Sequence, residues 1–125
     1  MSLPKKVVVF TLMLGLFLSS LSVASAATVR NGKISYYDGV GRVGSDGKVL
    51  TKWDCAVGSN YRYTITKGTP IYTTNLSNMK SATLYKWDHG NFWDPIILDV
   101  QRETYVTNLG GSTSAGYITN GKISY

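Results

Sequence analysis

The chain has 125 residues, a formal net charge of +6, 12% aromatic residues, one Cys and one His. A single Cys excludes an intramolecular disulfide, and no His/Cys/Asp cluster has metal-ligand spacing, so neither bridges nor a metal are expected to hold the fold. The length suits one working domain, and the basic residues are scattered along the chain rather than massed as a nucleic-acid footprint.

The N-terminus reads as an export signal. Lys5 and Lys6 supply a charged start, Val7 to Leu18 is almost unbroken apolar sequence, and Ala24-Ser25-Ala26 precedes Ala27. That order is the signal-peptide layout, and the apolar run falls short of the roughly 20 residues that a spanning helix needs. The expected division is a leader over 1–26 and a domain over 27–125. No Cys stands at the cleavage point, so no lipid or membrane anchor is expected after cleavage. An exported, mildly basic domain would meet anionic wall polymers or lipid headgroups, not nucleic acid. Cys55 is expected to be a buried small apolar residue.

The remaining sequence has the composition of a β protein, rich in Tyr, Thr, Val and Gly. Turn signals recur at Asn31-Gly32, Asp38-Gly39, Asp46-Gly47, Lys67-Gly68, His89-Gly90, Gly110-Gly111 and Asn120-Gly121. Between them the pattern predicts strands over Lys33–Tyr37, Tyr61–Thr66, Pro70–Thr74, Ala82–Trp87, Ile96–Leu98 and Tyr117–Ser124. Asp99 could cap a short helix ending near Gly110. Short strands at this spacing favour a sandwich or a closed barrel, and closure would remove exposed edges. The chain also echoes itself. Asn31-Gly32-Lys33-Ile34-Ser35-Tyr36 returns as Asn120 to Tyr125, Lys52-Trp53-Asp54 as Lys86-Trp87-Asp88, and Thr74-Asn75-Leu76 as Thr107-Asn108-Leu109.

From Gly68 onward the motifs fall into a recognisable order: Gly68-Thr69, Thr74-Asn75-Leu76-Ser77-Asn78, Asp88-His89-Gly90-Asn91-Phe92, Ile96-Ile97-Leu98-Asp99-Val100 and Leu109-Gly110. With the opening Gly32-Lys33-Ile34-Ser35-Tyr36-Tyr37, this resembles the double-psi β-barrel family of rare-lipoprotein-A-like and expansin-like secreted proteins. The resemblance implies an all-β fold, a small six-stranded double-psi β-barrel with one or two short helices. It implies action on cell-wall polysaccharide, peptidoglycan favoured over cellulose, by a monomer without a cofactor. Two departures bear on activity. Asp88-His89-Gly90-Asn91-Phe92 lacks the Arg and Pro of the family's D-R-G-P-F, and Asp54-Cys55-Ala56-Val57-Gly58 lacks the His of members with lytic transglycosylase activity. Loosening without hydrolysis therefore fits better than cleavage. A non-enzymatic interaction or inhibitor module on the same barrel is the alternative.

By resemblance Asp88 and Asp99 match the two carboxylates of the expansin-type site, and Ser35 its small hydroxyl. The residues support a matching division of labour. Asp88 stands among Trp87, His89, Phe92 and Trp93, where apolar walls would raise its pKa and suit it to proton donation. Asp99, at the expected helix start, would be held ionised by the dipole. Each also has a purely structural reading, Asp99 as a cap and Asp88 as a turn organiser. Trp93, Trp87 and Tyr36 are candidate sugar-stacking aromatics, and His89 a candidate proton relay.

Overall fold

Six strands form: β1 (Val29–Tyr37), β2 (Asp54–Gly58), β3 (Pro70–Asn75), β4 (Lys80–Gly90), β5 (Ile96–Gln101) and β6 (Ile118–Ser124). The structure, a computed structural model, describes residues 27–125, and the expected leader at 1–26 lies outside the described residues. The strands close into one barrel in the order β1-β5-β2-β4-β3-β6. β1 pairs with β5, and β2 with β4, in parallel; the four remaining pairs are antiparallel. The expected small six-stranded all-β barrel is therefore the fold. Its only helical pieces among the described residues are short, a 3-10 turn at Ser59–Tyr61 and a π-helical turn at Thr104–Asn108.

The barrel interior is filled by apolar side chains from every strand. Ile34, Cys55, Val57, Ile71, Leu84, Leu98, Val100, Ile118 and Ile123 form one cluster, joined by Ile65, Tyr105 and Leu109 from the connections. Cys55 is fully buried within it, as expected, and burial pushes its thiol pKa well above the ordinary range, so it stays a neutral packing group.

Three expectations are corrected. Tyr61–Thr66 is not a strand: its alternation is real, but Ile65 drops into the core from a turn closed by Ile65 N–H to Tyr61 O at 3.0 Å, while Tyr63 is exposed. Asp99 does not cap a helix: β5 runs through it to Gln101, because Asp99 pairs with β1 on one side and β2 on the other. Asn31-Gly32 and Asn120-Gly121 are not turns. They lie inside β1 and β6, where Gly32 and Gly121 are register partners. The first sequence echo is thus two strands lying antiparallel against each other. The Thr-Asn-Leu echo is not a structural repeat, since one copy closes β3 and the other the π-helical turn, though Asn75 Nδ2 donates to Leu109 O at 2.8 Å.

The glycines let β1 and β6 approach where the core is tightest. A Cβ on Gly121 would stand 2.7 Å from Ile34 Cδ1 and 2.8 Å from Gly32 O, with Ile34 fully buried and backbone behind it. Neither neighbour can retreat. Gly121→Ala is therefore expected to lower stability by about 1–3 kcal/mol, read as a shift of the urea midpoint. An unchanged midpoint would mean that the two strands are farther apart than this register requires.

Candidate functional site

Ala56 of β2 is the register partner of Asp88 on β4 and of Asp99 on β5, and Asp99 is the partner of Ser35 on β1. Neighbouring partners point to the same side of a sheet, so Ser35, Asp99, Ala56 and Asp88 form one row across four strands. The row faces outward, since Ile34, Leu98, Val100, Cys55 and Val57 on either side of it point into the core. A bulge at Trp87 keeps Asp88 on this outer face after the buried Lys86. Two strand spacings separate the carboxylate-bearing backbones by roughly 10 Å, and the methyl of Ala56 forms the floor between them.

The two carboxyls have opposite surroundings. Asp88 Oδ1 accepts from Ser45 N–H at 2.9 Å, Ser45 Oγ at 2.7 Å and His89 N–H at 3.0 Å, and Tyr37 Oη donates to Oδ2 at 2.9 Å. Burial alone would push the Asp88 pKa upward and is the largest single influence. The two bonds from Ser45, with those from Tyr37 and His89, together outweigh it and hold Asp88 below its ordinary value. Asp99 receives one side-chain bond, from Ser35 Oγ at 3.0 Å. Its burial dominates, the charge of Asp88 adds to it, and the Asp99 pKa is pushed up to about 6. The roles expected from sequence are therefore reversed in electrostatic terms: Asp88 is the fixed anion, and Asp99 keeps its proton up to about pH 6. The aromatic residues around Asp88 do not desolvate it enough to win against four donors, and Asp99 has no helix dipole to ionise it.

Tyr37 reaches from β1 across the row to Asp88. Burial, then the Asp88 charge, pushes its phenol well above the ordinary range, so it remains a donor. Beyond it Gln101, fully buried, accepts from Gly39 N–H at 2.8 Å and donates to Asp54 O at 3.3 Å. The row continues here into an open cleft of about 470 Å³ that shares Tyr37 and Gln101 with it.

The segment between β1 and β2 is fastened over this region by polar contacts. Arg102 holds Asp38 in a two-pronged pair at 2.8 and 2.9 Å. Lys86 Nζ, whose side chain is 1% exposed, pairs with Asp46 at 2.8 Å and donates to Arg62 O at 3.0 Å. Lys48 pairs with the buried Asp54, which also accepts from Thr51 N–H at 2.8 Å. These contacts hold Ser45 on Asp88. Ser45 has no local sequence signal as a site residue, and Tyr37 is marked only as an aromatic of the first-strand motif; they stand 43 and 51 positions from Asp88.

The other expected site residues lie outside the row. Tyr36, on the opposite face of β1 from Ser35, packs on Tyr105 with ring centres 4.6 Å apart and donates to Thr113 O. Trp87 covers Gly68, whose Cβ would lie 3.4 Å from its ring. Trp93 is 57% exposed, beside Asp94, which pairs with Arg30 near the start of β1. His89 contributes its backbone N–H to Asp88; it pairs in register with inward-facing Val57, and its Nδ1 is buried without a partner. Among the described residues no group of three His, Cys, Asp or Glu could hold a metal.

The raised pKa of Asp99 sets the sign of a stability effect. The folded chain holds this proton more tightly than the unfolded chain, so burying the carboxyl costs nothing below the ordinary carboxylate range. The cost appears as pH rises toward about 6 and is complete above it. Asp99→Asn keeps an acceptor for Ser35 and removes the charge. It is expected to stabilise the fold by about 1–3 kcal/mol at pH 7.5 and to be near neutral at pH 4, measured by chemical denaturation at both. Equal effects at the two values would contradict the assignment.

No family model matches the sequence. A relative from Bacillus subtilis (strain 168), the uncharacterized protein YdjM, is 33% identical over 126 residues, covering 98% of this chain and 99% of the relative. The crystal structure of an apo expansin from Clavibacter michiganensis superposes with a TM-score of 0.61 at 18% identity, over 78% of this chain. The chain spans about half the length of that expansin, 50% of it, and the likeness is one of fold. Identity over nearly the whole of both sequences places the chain with its Bacillus relative: it belongs to the YdjM family, built on an expansin-like barrel.

Proposed function

We propose that this protein is exported through the leader at 1–26 and acts on cell-wall polysaccharide, peptidoglycan in preference to cellulose, by loosening contacts between strands of the polymer. The single observation that carries the reading is the outward row Ser35, Asp99, Ala56 and Asp88, in which one carboxyl keeps its proton and the other does not. A neutral carboxyl both donates and accepts, and so can exchange hydrogen bonds with sugar hydroxyls or a glycosidic oxygen. Asp99 supplies that group, and Ser35, bonded to it at 3.0 Å, orients it. Asp88 is the fixed negative charge, held in place by the hydroxyl of Tyr37. The arrangement needs no covalent intermediate.

A specific observation favours binding over cleavage. Four donors occupy Asp88, and a carboxylate so engaged is a poor base for activating water. The non-enzymatic interaction module thus differs from the leading reading only in whether Asp99 exchanges bonds with the polymer or merely rests against it.

The pH dependence follows from the two shifts. One carboxyl is protonated and the other ionised between roughly 3.8 and 6. Extension of purified wall sacculi under constant load is expected to quicken as pH falls through 6. Asp99→Ala, which can neither donate nor accept a hydrogen bond at the row, is expected to lose at least about tenfold of the rate, and mass spectrometry should find no anhydro-sugar products. Release of such products would replace loosening with cleavage. Sacculi that extend equally with wild type and Asp99→Ala would leave only the interaction module.

A further inference from the structure

The cleft at the end of the row carries more chemistry than a neutral glycan requires. Tyr37 and Gln101 join it to the Asp88/Asp99 groove, and Asp38, Val40, Arg42, Arg102 and Glu103 form its walls. Its two acidic and two basic residues balance in number but not in pairing. Asp38 and Arg102 satisfy each other at 2.8 and 2.9 Å, and Glu103 is paired with Lys52 at 3.4 Å. Arg42 is left over: its side chain forms no hydrogen bond or ion pair among the described residues.

The Arg42 backbone, by contrast, is held on both sides. Arg42 N–H donates to Gly39 O at 3.0 Å, and Arg42 O accepts from Leu50 N–H at 2.8 Å. The next residue, Val43, bridges Val49, and Gly44 N–H donates to Lys48 O at 2.8 Å. This small hairpin is the same one that Ser45 and Asp46 fasten to β4. An exposed planar fork without a protein partner, on a fixed backbone at the mouth of a sugar-sized cleft, is suited to two-pronged recognition of an oxyanion. The sites that could compete are already occupied: Arg102 is tied to Asp38, and Lys52 lies over the Trp53 ring.

We infer that the cleft is a subsite for a carboxylate borne by the wall polymer, with Arg42 as its specificity-determining residue; the inference rests on the polysaccharide reading above. A carboxylate fits better than a chain of phosphodiesters. One surplus cation balances one negative charge, and the Asp38 and Glu103 walls repel a run of them. Tyr37 lines the cleft and bonds Asp88, so a carboxylate seated at Arg42 presents the adjoining sugar to the row.

The test uses sedimentation of the purified protein with sacculi stripped of phosphate polymers by hydrofluoric acid. Arg42→Gln is compared with Arg62→Gln, which removes the same charge from an exposed residue next to Tyr63 and outside the cleft. Arg42→Gln is expected to weaken binding about tenfold, and Arg62→Gln less than about twofold. Converting the sacculus carboxyls to amides should weaken wild type to the level of Arg42→Gln and leave that variant unmoved. Treating sacculi with an amidase that removes the peptides tells the carboxylate's source. Arg42-dependent binding retained on bare glycan assigns a sugar carboxylate, and its loss assigns a peptide carboxylate. Equal binding by the two variants overturns the subsite alone. Binding that needs the phosphate polymers overturns the choice of carboxylate. Absence of wild-type binding to any sacculus overturns the polysaccharide reading and the subsite with it.

Discussion

The placement of β2 between β4 and β5 is the constraint from which the rest of the site follows. It sets Ala56 between Asp88 and Asp99, so one methyl separates two carboxyls that share an outer face. A larger side chain there would fill the groove, and a strand of different order would send the carboxyls to different sides of the barrel. Their chemistry then depends on which donors reach each of them. Asp88 lies under the segment joining β1 to β2 and collects its donors; Asp99, two strand spacings from Asp88, collects only Ser35. Opposite protonation thus comes from one asymmetric covering of a nearly symmetric pair.

That covering segment has little regular structure of its own, with one isolated bridge between Val43 and Val49. It is ordered instead by charge. Asp38, Ser45, Asp46 and Lys48 each bond to a partner on β2, β4 or the chain following β5. The Lys86 pair is the most demanding, because its ammonium is almost wholly buried and would be left uncompensated without Asp46. Burying such a pair adds little net stability, but breaking it costs about 3–5 kcal/mol. Its role here is one of register: it fixes the hairpin that places Ser45 on Asp88 and Arg42 at the cleft. Groove chemistry and the cleft's selectivity therefore share one scaffold.

Much of the fold was legible in the sequence, for identifiable reasons. β3 and β4 announce themselves by alternation between turn residues, β5 by the short apolar run Ile96-Ile97-Leu98, and the motif order points to a closed barrel. β2 was missed because Asp54–Gly58 is buried throughout and offers no alternation. The Asn-Gly pairs misled because glycine serves close strand approach as readily as it serves a turn. Tyr61–Thr66 misled because a turn can deliver one residue to the core with a strand's spacing. The site was legible in its members, Ser35, Asp88 and Asp99, but not in their electrostatics. Aromatic neighbours in sequence suggested desolvation of Asp88, whereas its decisive partners, Tyr37 and Ser45, arrive through barrel closure.

The central claim is that the two carboxyls titrate in the order opposite to that suggested by their sequence neighbours. Carbon-13 NMR of the aspartate carboxyl groups across pH 2 to 8, with Asp88→Asn and Asp99→Asn to assign the signals, tests it directly. The account predicts a transition near pH 6 that vanishes in Asp99→Asn, and one below 3.8 that vanishes in Asp88→Asn. An Asp88 transition above that of Asp99 would contradict it.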